Sequence, residues 1–175
     1  MKNKKSNALI SNNQIILQSS NQARELLKKG FGTIEQTYIN LSTYETLFLL
    51  ENNKINLFDK DNKEIDKEQF LKRMIRKNKN FIRNYIVFAD LRDKRYTVKT
   101  GAKYGTIFRA YEKGVMPGKA HAKWLVVPIS EDEYIKWQDI LGKNRIANST
   151  KKRMLLAIVD NDKSVTYLEI KWAKP

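Results

Sequence analysis

The stretch KAHAKWLVVPI, residues 119–129, carries an apolar run that decides how the second half of the chain folds. Such a run predicts a buried strand over residues 122–129. The stretch STKKRMLLAIVD, residues 149–160, predicts a second strand over 153–160. Further strands are predicted over residues 95–99, 106–112 and 164–172. For this pattern the simplest architecture is a twisted mixed sheet with a helix packed on it.

One helix is predicted in this half, from Glu131 to Leu141. Ser130 supplies an N-cap, Glu133 completes a capping box, and Gly142 ends the helix. The tryptophans assigned to packing in this half are Trp124 and Trp137.

The first half of the chain resembles a small mixed domain. Short apolar runs on either side of Asn12 and Asn13 predict a hairpin over residues 8–18. The other predicted elements are a helix from Ser20 or Asn21 to Gly30, a helix opened by a capping box between Ser42 and Glu45, a strand and turn over 54–65, and a helix over 66–78.

A domain boundary is predicted near residues 78–86, because a basic stretch there separates the last helix of the first half from the apolar YIVFADL segment. The expected domains are a mixed α/β domain over residues 1–82 and a C-terminal domain over 83–175. The predicted fold class is therefore α+β.

The charge of the chain points to a polyanionic partner. The 34 Lys and Arg residues against 19 Asp and Glu residues give a net charge of +15, which is large for a chain of 175 residues. Both halves share the excess, with 15 basic against 9 acidic residues in 1–80 and 19 against 10 in the rest. A solubilising surface is the alternative explanation of this charge.

The absence of cysteine excludes disulfides, thiolate zinc sites and cysteine nucleophiles. With a single histidine, a histidine-based zinc site within one chain is excluded as well. No apolar run approaches a membrane span, and the polar N-terminus lacks the apolar region of a signal peptide. We therefore expect a soluble, cytoplasmic protein without membrane association.

Three side chains beside the predicted strands suit RNA cleavage by the substrate's own 2′-hydroxyl. Tyr111 is a candidate base, His121 a candidate acid for the departing 5′-oxygen, and Lys152 a candidate cation for charge building on phosphorus. This scheme requires no metal and no cofactor. A histidine exchanges protons in the neutral range, whereas a tyrosine base needs neighbouring cations to lower its pKa.

Each of these residues also has a structural interpretation. Tyr111 suits packing on a sheet surface, and a lone histidine is more often structural than catalytic. In the KKR triplet, Lys151 and Arg153 flank Lys152, and a shift of one residue along a strand reverses the exposed face.

The segments TGAKYG, FRAYEKG, AHAKWLV and KKRMLLAIVD resemble, in order and spacing, the catalytic half of the archaeal tRNA-intron splicing endonucleases. The first half of the chain matches that family only loosely. The resemblance implies a restriction-endonuclease-like mixed sheet in the C-terminal catalytic nuclease domain. It also implies that Tyr111, His121 and Lys152 form a catalytic triad, so that the chain is a competent subunit.

The resemblance extends to substrate and assembly. It implies cleavage of precursor tRNA at a bulge-helix-bulge, which leaves 2′,3′-cyclic phosphate and 5′-hydroxyl ends, by a homotetramer or a heterotetramer with a paralogous subunit. Arg145 and Trp172 match a pair that pinches a bulged base, although packing explains Trp172 equally well. Asp160 and Asp162 match an acidic subunit-docking loop, for which a plain turn is the alternative.

Two other functions fit parts of the sequence. Asp160, Glu169 and Lys171 resemble the acidic and Glu-x-Lys pattern of metal-dependent restriction-type nucleases. The chain also suits a non-catalytic RNA-binding assembly subunit, but family members with that role are expected to lack triad residues. Dependence on a metal ion separates the two enzyme classes.

Overall fold

The computed structural model describes residues 5–12, 14–36 and 38–173. The chain forms two compact units, the first ending at Phe81 and the second beginning at Ile82. In the described residues, no helix combines the length and apolarity that crossing a membrane requires.

The first unit contains a mixed sheet and three helices within its described residues. The strands are β1 (Ser6–Ser11), β2 (Gln14–Leu17), β3 (Thr33–Glu35), β4 (Tyr38–Asn40), β5 (Ile55–Phe58) and β6 (Glu64–Ile65), and the helices are α1 (Asn21–Lys28), α2 (Thr43–Glu51) and α3 (Lys67–Lys77). The sheet order is β3-β4-β2-β1-β5-β6, and β1 runs parallel to β5.

Local hydrogen bonds explain where these helices begin. The Ser20 hydroxyl accepts a bond from the amide of Ala23, and Ser42 and Glu45 form the predicted capping box. The predicted hairpin is confirmed by the antiparallel pairing of β1 with β2, while Asn13 of its turn lies outside the described residues. The sequence predicts no strand over residues 33–40, because two strands of three residues show no readable alternation.

The second unit contains a five-stranded mixed sheet. Its strands are β7 (Thr97–Thr100), β8 (Phe108–Tyr111), β9 (Trp124–Ser130), β10 (Arg153–Val159) and β11 (Val165–Ile170), and its helices are α4 (Phe81–Asp93) and α5 (Trp137–Ser149). The sheet order is β11-β10-β9-β8-β7; β9 and β10 are parallel, and the other neighbours are antiparallel. All five predicted strands are confirmed, with bounds that differ by a few residues.

A helix covers each face of this sheet. On one face, the Phe88 ring of α4 lies 5.8 Å from the Phe108 ring of β8. On the other face, Ile140 and Ala147 of α5 pack with Leu125 of β9 and Met154 of β10. The predicted architecture of a mixed sheet with a packed helix is therefore confirmed.

The predicted helix from Glu131 to Leu141 is wrong in its position. The helix begins at Trp137, and Gly142 lies inside it rather than at its end. Residues 131–134 are exposed and have no apolar stripe to bury, whereas Ile140, Asn144 and Ala147 recur at helical spacing and reach the sheet.

One further expectation from the sequence needs correction, and one helix was missed. Trp137 does not pack, since 76% of its surface is exposed. Helix α4 was not predicted, because the run YIVFA is apolar on several sides and hides the helical period that Tyr85, Phe88 and Leu91 follow in the core.

Candidate active site

The sheet topology gathers the three candidate catalytic residues at one end of the second unit. Strand β8 ends at Tyr111, and it runs antiparallel to β9, which is parallel to β10. The end of β8 therefore lies beside the beginnings of β9 and β10. His121 precedes β9 by three residues and Lys152 immediately precedes β10.

A cavity of about 360 Å³ opens at this end of the sheet, and we call it the Tyr111 cavity. Tyr111 and His121 both line it. The remaining lining residues are Lys103, Tyr104, Arg109, Pro117, Gly118, Lys119, Ala120 and Ala122. The lining holds three Lys or Arg side chains and no carboxylate, so it is suited to an anion such as a phosphate.

Tyr111 lies on the face of β8 that carries Arg109, because the two residues are separated by one position. The Arg109 guanidinium carbon is 5.9 Å from the centroid of the Tyr111 ring. Burial raises the pKa of the Tyr111 hydroxyl; the charge of Arg109 opposes this rise and the charge of Tyr104 adds to it. The net pKa lies above the ordinary tyrosine value, so Tyr111 is protonated at neutral pH.

His121 lies in an ordered loop that leads into β9. The amide of Lys119 donates to the carbonyl of Met116 at 3.1 Å, and the amide of Lys123 donates to the carbonyl of Ala110 at 2.9 Å. Ala122 is buried, whereas His121 itself is exposed to solvent. The backbone on both sides of the imidazole is therefore fixed while the ring stays accessible to a substrate.

Lys152 is placed by the end of helix α5. The amide of Lys152 donates to Ala147 at 2.8 Å and the amide of Lys151 donates to Asn148 at 3.0 Å, which is the hydrogen-bond pattern of a Schellman cap. Lys151 has the positive φ of 55° that this cap requires. The cap fixes which residue enters β10 and with which orientation.

The three neighbouring cations of the KKR triplet have different surroundings. The Lys152 ammonium lies 4.9 Å from the centroid of the Tyr104 ring, beside the Tyr111 cavity. Arg153 instead pairs with Glu169 at 3.0 Å, and Lys151 is exposed. Lys152 itself is not among the lining residues, but its ammonium contacts the ring of one of them.

The strained conformation of Lys151 predicts a stabilising substitution. A left-handed conformation costs a residue with a Cβ about 1–2 kcal/mol, which glycine avoids, although glycine loses up to about 1 kcal/mol through its freer unfolded chain. We expect Lys151→Gly to raise the free energy of unfolding in urea by about 0.5–1 kcal/mol. Lys151→Ala removes the same charge but keeps the Cβ, so a gain of equal size in that control would contradict this explanation.

Eight residues of the cavity were not singled out from the sequence, among them Tyr104 and Arg109. Strand alternation could have identified Arg109, because it places this residue on the same face of the strand as Tyr111. The Arg109 Nε is buried and has no hydrogen-bond partner among the described residues. Tyr104 gave no such signal, since it lies in a 3-10 turn over Ala102–Tyr104 outside any periodic element.

The two candidate substrate-binding residues are both exposed. Arg145 lies on α5, in the turn before the cap that places Lys152. Trp172 follows the end of β11, and 51% of its surface is exposed. Because Ile170 pairs with Met154 near the start of β10, Trp172 lies toward the same end of the sheet as Lys152.

The candidate docking loop is the turn between β10 and β11. The Asp160 carboxylate accepts a bond from the amide of Ser164 at 2.8 Å, and both nitrogens of Asn161 donate to Glu131. Asp162 is exposed at the tip of this turn. The hydrogen bonds fix the turn and leave the Asp162 side chain accessible.

The alternative set of Asp160, Glu169 and Lys171 does not form one site. Glu169 pairs with Leu155, five residues from Asp160, which corresponds to about 17 Å along an extended strand. The Glu169 carboxylate already accepts a bond from the Trp124 indole at 2.8 Å and pairs with Lys171 at 3.0 Å. The hydrogen bond from Trp124 is the main cause that lowers the pKa of Glu169.

Comparison with protein families identifies both halves of the chain. Residues 6–71 match the model of the tRNA intron endonuclease N-terminal domain. Residues 81–167 match the model of the tRNA intron endonuclease catalytic C-terminal domain.

Similar proteins from archaea are tRNA-splicing endonucleases. The one of Nanoarchaeum equitans is 38% identical over 141 residues, covering 77% of this chain and 90% of the relative. The enzyme of Methanothermobacter thermautotrophicus is 34% identical over 162 residues, covering 92% of this chain and 94% of the relative. The enzyme of Methanococcus maripaludis is 32% identical over 167 residues, covering 95% of this chain and 94% of the relative. The chain therefore belongs to the tRNA intron endonuclease family and is an endonuclease of that family.

Proposed function

We propose that this enzyme excises introns from precursor tRNA by cutting bulge-helix-bulge RNA without a metal ion, leaving 2′,3′-cyclic phosphate and 5′-hydroxyl ends. One observation carries the proposal: the sheet brings Tyr111 and His121 into one cavity that has cationic lining residues and no carboxylate. Unstacked bases at a bulge also offer a recognition feature that the grooves of an A-form helix lack.

In the proposed reaction Tyr111 removes the proton of the 2′-hydroxyl, and the 2′-oxygen attacks the adjacent phosphorus. The bond from phosphorus to the 5′-oxygen breaks, and His121 donates a proton to that oxygen. Because its pKa is raised, Tyr111 acts through a small ionised fraction in the free enzyme. A nearby cation that stabilises the phenolate, as Arg109 does, assists this role.

Negative charge on the phosphoryl oxygens increases as the new bond forms. Lys152 is the proposed source of the compensating charge, and a fixed cation in a partly enclosed site stabilises such a state strongly. Arg109, which lies on the cavity face of β8, supplies a second positive charge. The proposed reaction therefore relies on these cations to stabilise the developing charge.

The proposed enzyme acts in the cytoplasm as a homotetramer or a heterotetramer with a paralogous subunit. Residues 1–82 and 83–175 are its proposed N-terminal and catalytic domains. The accessible position of Asp162 supports a docking role for the loop of Asp160 and Asp162. The exposure of Arg145 and Trp172 supports their proposed contact with a bulged base.

Recognition of the bulge is tested with Arg145→Ala. A side chain that contacts an unpaired base contributes to binding of bulged RNA, whereas a general phosphate contact contributes equally to any duplex. We expect the variant to weaken binding of bulged RNA about 10-fold more than binding of a plain duplex of the same length, as base stacking by an aromatic or Arg side chain contributes about 1–3 kcal/mol. Affinities are measured at several salt concentrations, because the +15 chain also binds RNA through counterion release.

Lys143→Ala is the matched control, since Lys143 lies on the same helix and its loss changes the net charge equally. The control should weaken both RNAs to a similar and small extent. If Arg145→Ala weakens the binding of both RNAs equally, Arg145 is only a general phosphate contact. Failure of the wild-type enzyme to cut bulged RNA would contradict the proposed substrate itself.

A further inference from the structure

We propose that Tyr104 is a positioning residue for Lys152, whose ammonium group it holds at the edge of the Tyr111 cavity by means of its ring. The inference rests on the proposed function, in which Lys152 stabilises charge on the phosphoryl group. It assigns a part in that role to a residue outside the triad.

The contact itself is a cation–π interaction. The Lys152 Nζ lies 4.9 Å from the centroid of the Tyr104 ring, inside the distance of about 6 Å at which the ring attracts a cation. The same ammonium donates one hydrogen bond to the carbonyl of Thr150 at 2.8 Å. An ammonium group has three donors, so the ring and Thr150 orient it while donors remain for substrate oxygens.

The Tyr104 ring is a fixed support. Its 3-10 turn is closed by a hydrogen bond from the Tyr104 amide to the carbonyl of Gly101 at 2.8 Å. Gly101 lies so close to β8 that an added Cβ would stand 2.8 Å from the carbonyl oxygen of Phe108. The Tyr104 side chain packs against the core cluster that contains Leu125 and Met154.

Lysine is the residue that benefits from such a support. The Schellman cap fixes the backbone of Lys152, but its side chain has four rotatable bonds and loses about 2 kcal/mol of entropy when it is held still. A rigid ring restricts the conformations of the Lys152 side chain before the substrate binds, so less entropy is lost during the reaction. Tyr104 also lines the Tyr111 cavity, so the ring that contacts the ammonium belongs to the same cavity wall as Tyr111 and His121.

The electrostatics of Tyr104 agree with close packing of cations around it. Burial raises the pKa of its hydroxyl, but the hydrogen bond with Lys103 and the charges of Lys152, Lys103 and Arg109 outweigh burial, so the pKa lies below its ordinary value. Both the ring and the hydroxyl therefore interact with cations. The experiment therefore has to separate the effect of the Tyr104 ring from the effect of its hydroxyl.

Single-turnover cleavage of a bulged RNA at saturating enzyme provides that separation. Tyr104→Phe keeps the ring, and we expect a rate within about threefold of wild type at neutral pH. Tyr104→Leu removes the ring, and we expect a rate about 10-fold lower with an unchanged Kd for RNA. In the Lys152→Ala background, Tyr104→Leu should cause no further loss, because the two residues act as one unit.

Tyr134→Leu is the matched control, since Tyr134 is fully exposed in the same unit, and it should cleave at the wild-type rate. Urea unfolding verifies that the Leu variant is folded, and Tyr104→Met replaces it if it is not. A wild-type rate in folded Tyr104→Leu or Met, a full additional loss in the Lys152→Ala background, or a Phe variant as slow as Leu would each overturn the inference. If Lys152→Ala cleaves at the wild-type rate, both the proposed role of Lys152 and the inference about Tyr104 are wrong. If Lys152→Ala is slow but Tyr104→Leu cleaves at the wild-type rate, only the inference about Tyr104 is wrong.

Discussion

Replacement of the single 2′-hydroxyl at the cut site by hydrogen is expected to stop cleavage, with no product above background over the time in which the all-ribose RNA is cut completely. In the proposed reaction this hydroxyl is the attacking group, so its removal leaves no nucleophile. The same all-ribose RNA should be cut in excess EDTA. A phosphatase distinguishes the product with a cyclic phosphate, which resists it, from one with an open phosphate, and a kinase detects the 5′-hydroxyl end.

The substituted RNA must still bind, and a direct affinity measurement supplies this control. A deoxy substitution at a neighbouring nucleotide, away from the cut, should leave the rate nearly unchanged. A nuclease that uses a metal-activated water would behave in the opposite way, failing in EDTA and cutting the deoxy substrate. That result would contradict the proposed reaction, even though Asp160 and Glu169 do not form a common site in this fold.

The sheet of the second unit was predictable because its strands are signalled by local patterns. The apolar runs that become β9 and β10 are long and bounded by polar residues. Helix α5 was misplaced because Ser130 and Glu133 form a local turn that imitates a capping box, with the Glu133 amide donating to the Ser130 carbonyl at 3.0 Å. The choice between the two positions depends on which residues can be buried against the sheet, and that is a property of the tertiary structure.

The residues of the candidate site were predictable, but their surroundings in the folded structure were not. Its residue types and their resemblance to a family nominated Tyr111, His121 and Lys152, and sheet topology explains why segments ten to forty residues apart lie at one end of the second unit. The surroundings were not predictable. Whether burial or nearby cations dominate the pKa of Tyr111 depends on the positions of Arg109 and Tyr104, which only the folded structure gives.

Tyr104 and Arg109 were missed in the sequence for a common physical reason. Strand alternation places Arg109 on the face of Tyr111, but neither the burial of its Nε nor the contact of the Tyr104 ring with Lys152 is visible in the sequence. Tyr104 meets Lys152 only because a 3-10 turn and a helix cap, 48 residues apart in the chain, end beside each other. Contacts of this kind depend on tertiary packing, so sequence patterns nominate the reacting groups more readily than the groups that position them.

Substitution of His121 by alanine is expected to slow single-turnover cleavage by at least about 10²-fold, since it removes the proposed acid for the 5′-oxygen. The pH dependence of the remaining activity is the more informative result. His121 is the only histidine of the chain, so the variant has no imidazole that could lose a proton as the pH rises. The pKa of Tyr111 is raised, so its ionised fraction, and with it the expected rate, rises about tenfold per pH unit between pH 6 and 9.

Hydroxide in solution also cleaves RNA faster at higher pH, and the double variant His121→Ala/Tyr111→Phe measures that contribution. Its rate should be lower than that of His121→Ala at every pH, since phenylalanine fills the same buried position without a hydroxyl. Equal rates and slopes in the single and double variants would mean that Tyr111 is not the base, and a His121→Ala rate near wild type would remove the imidazole from the mechanism.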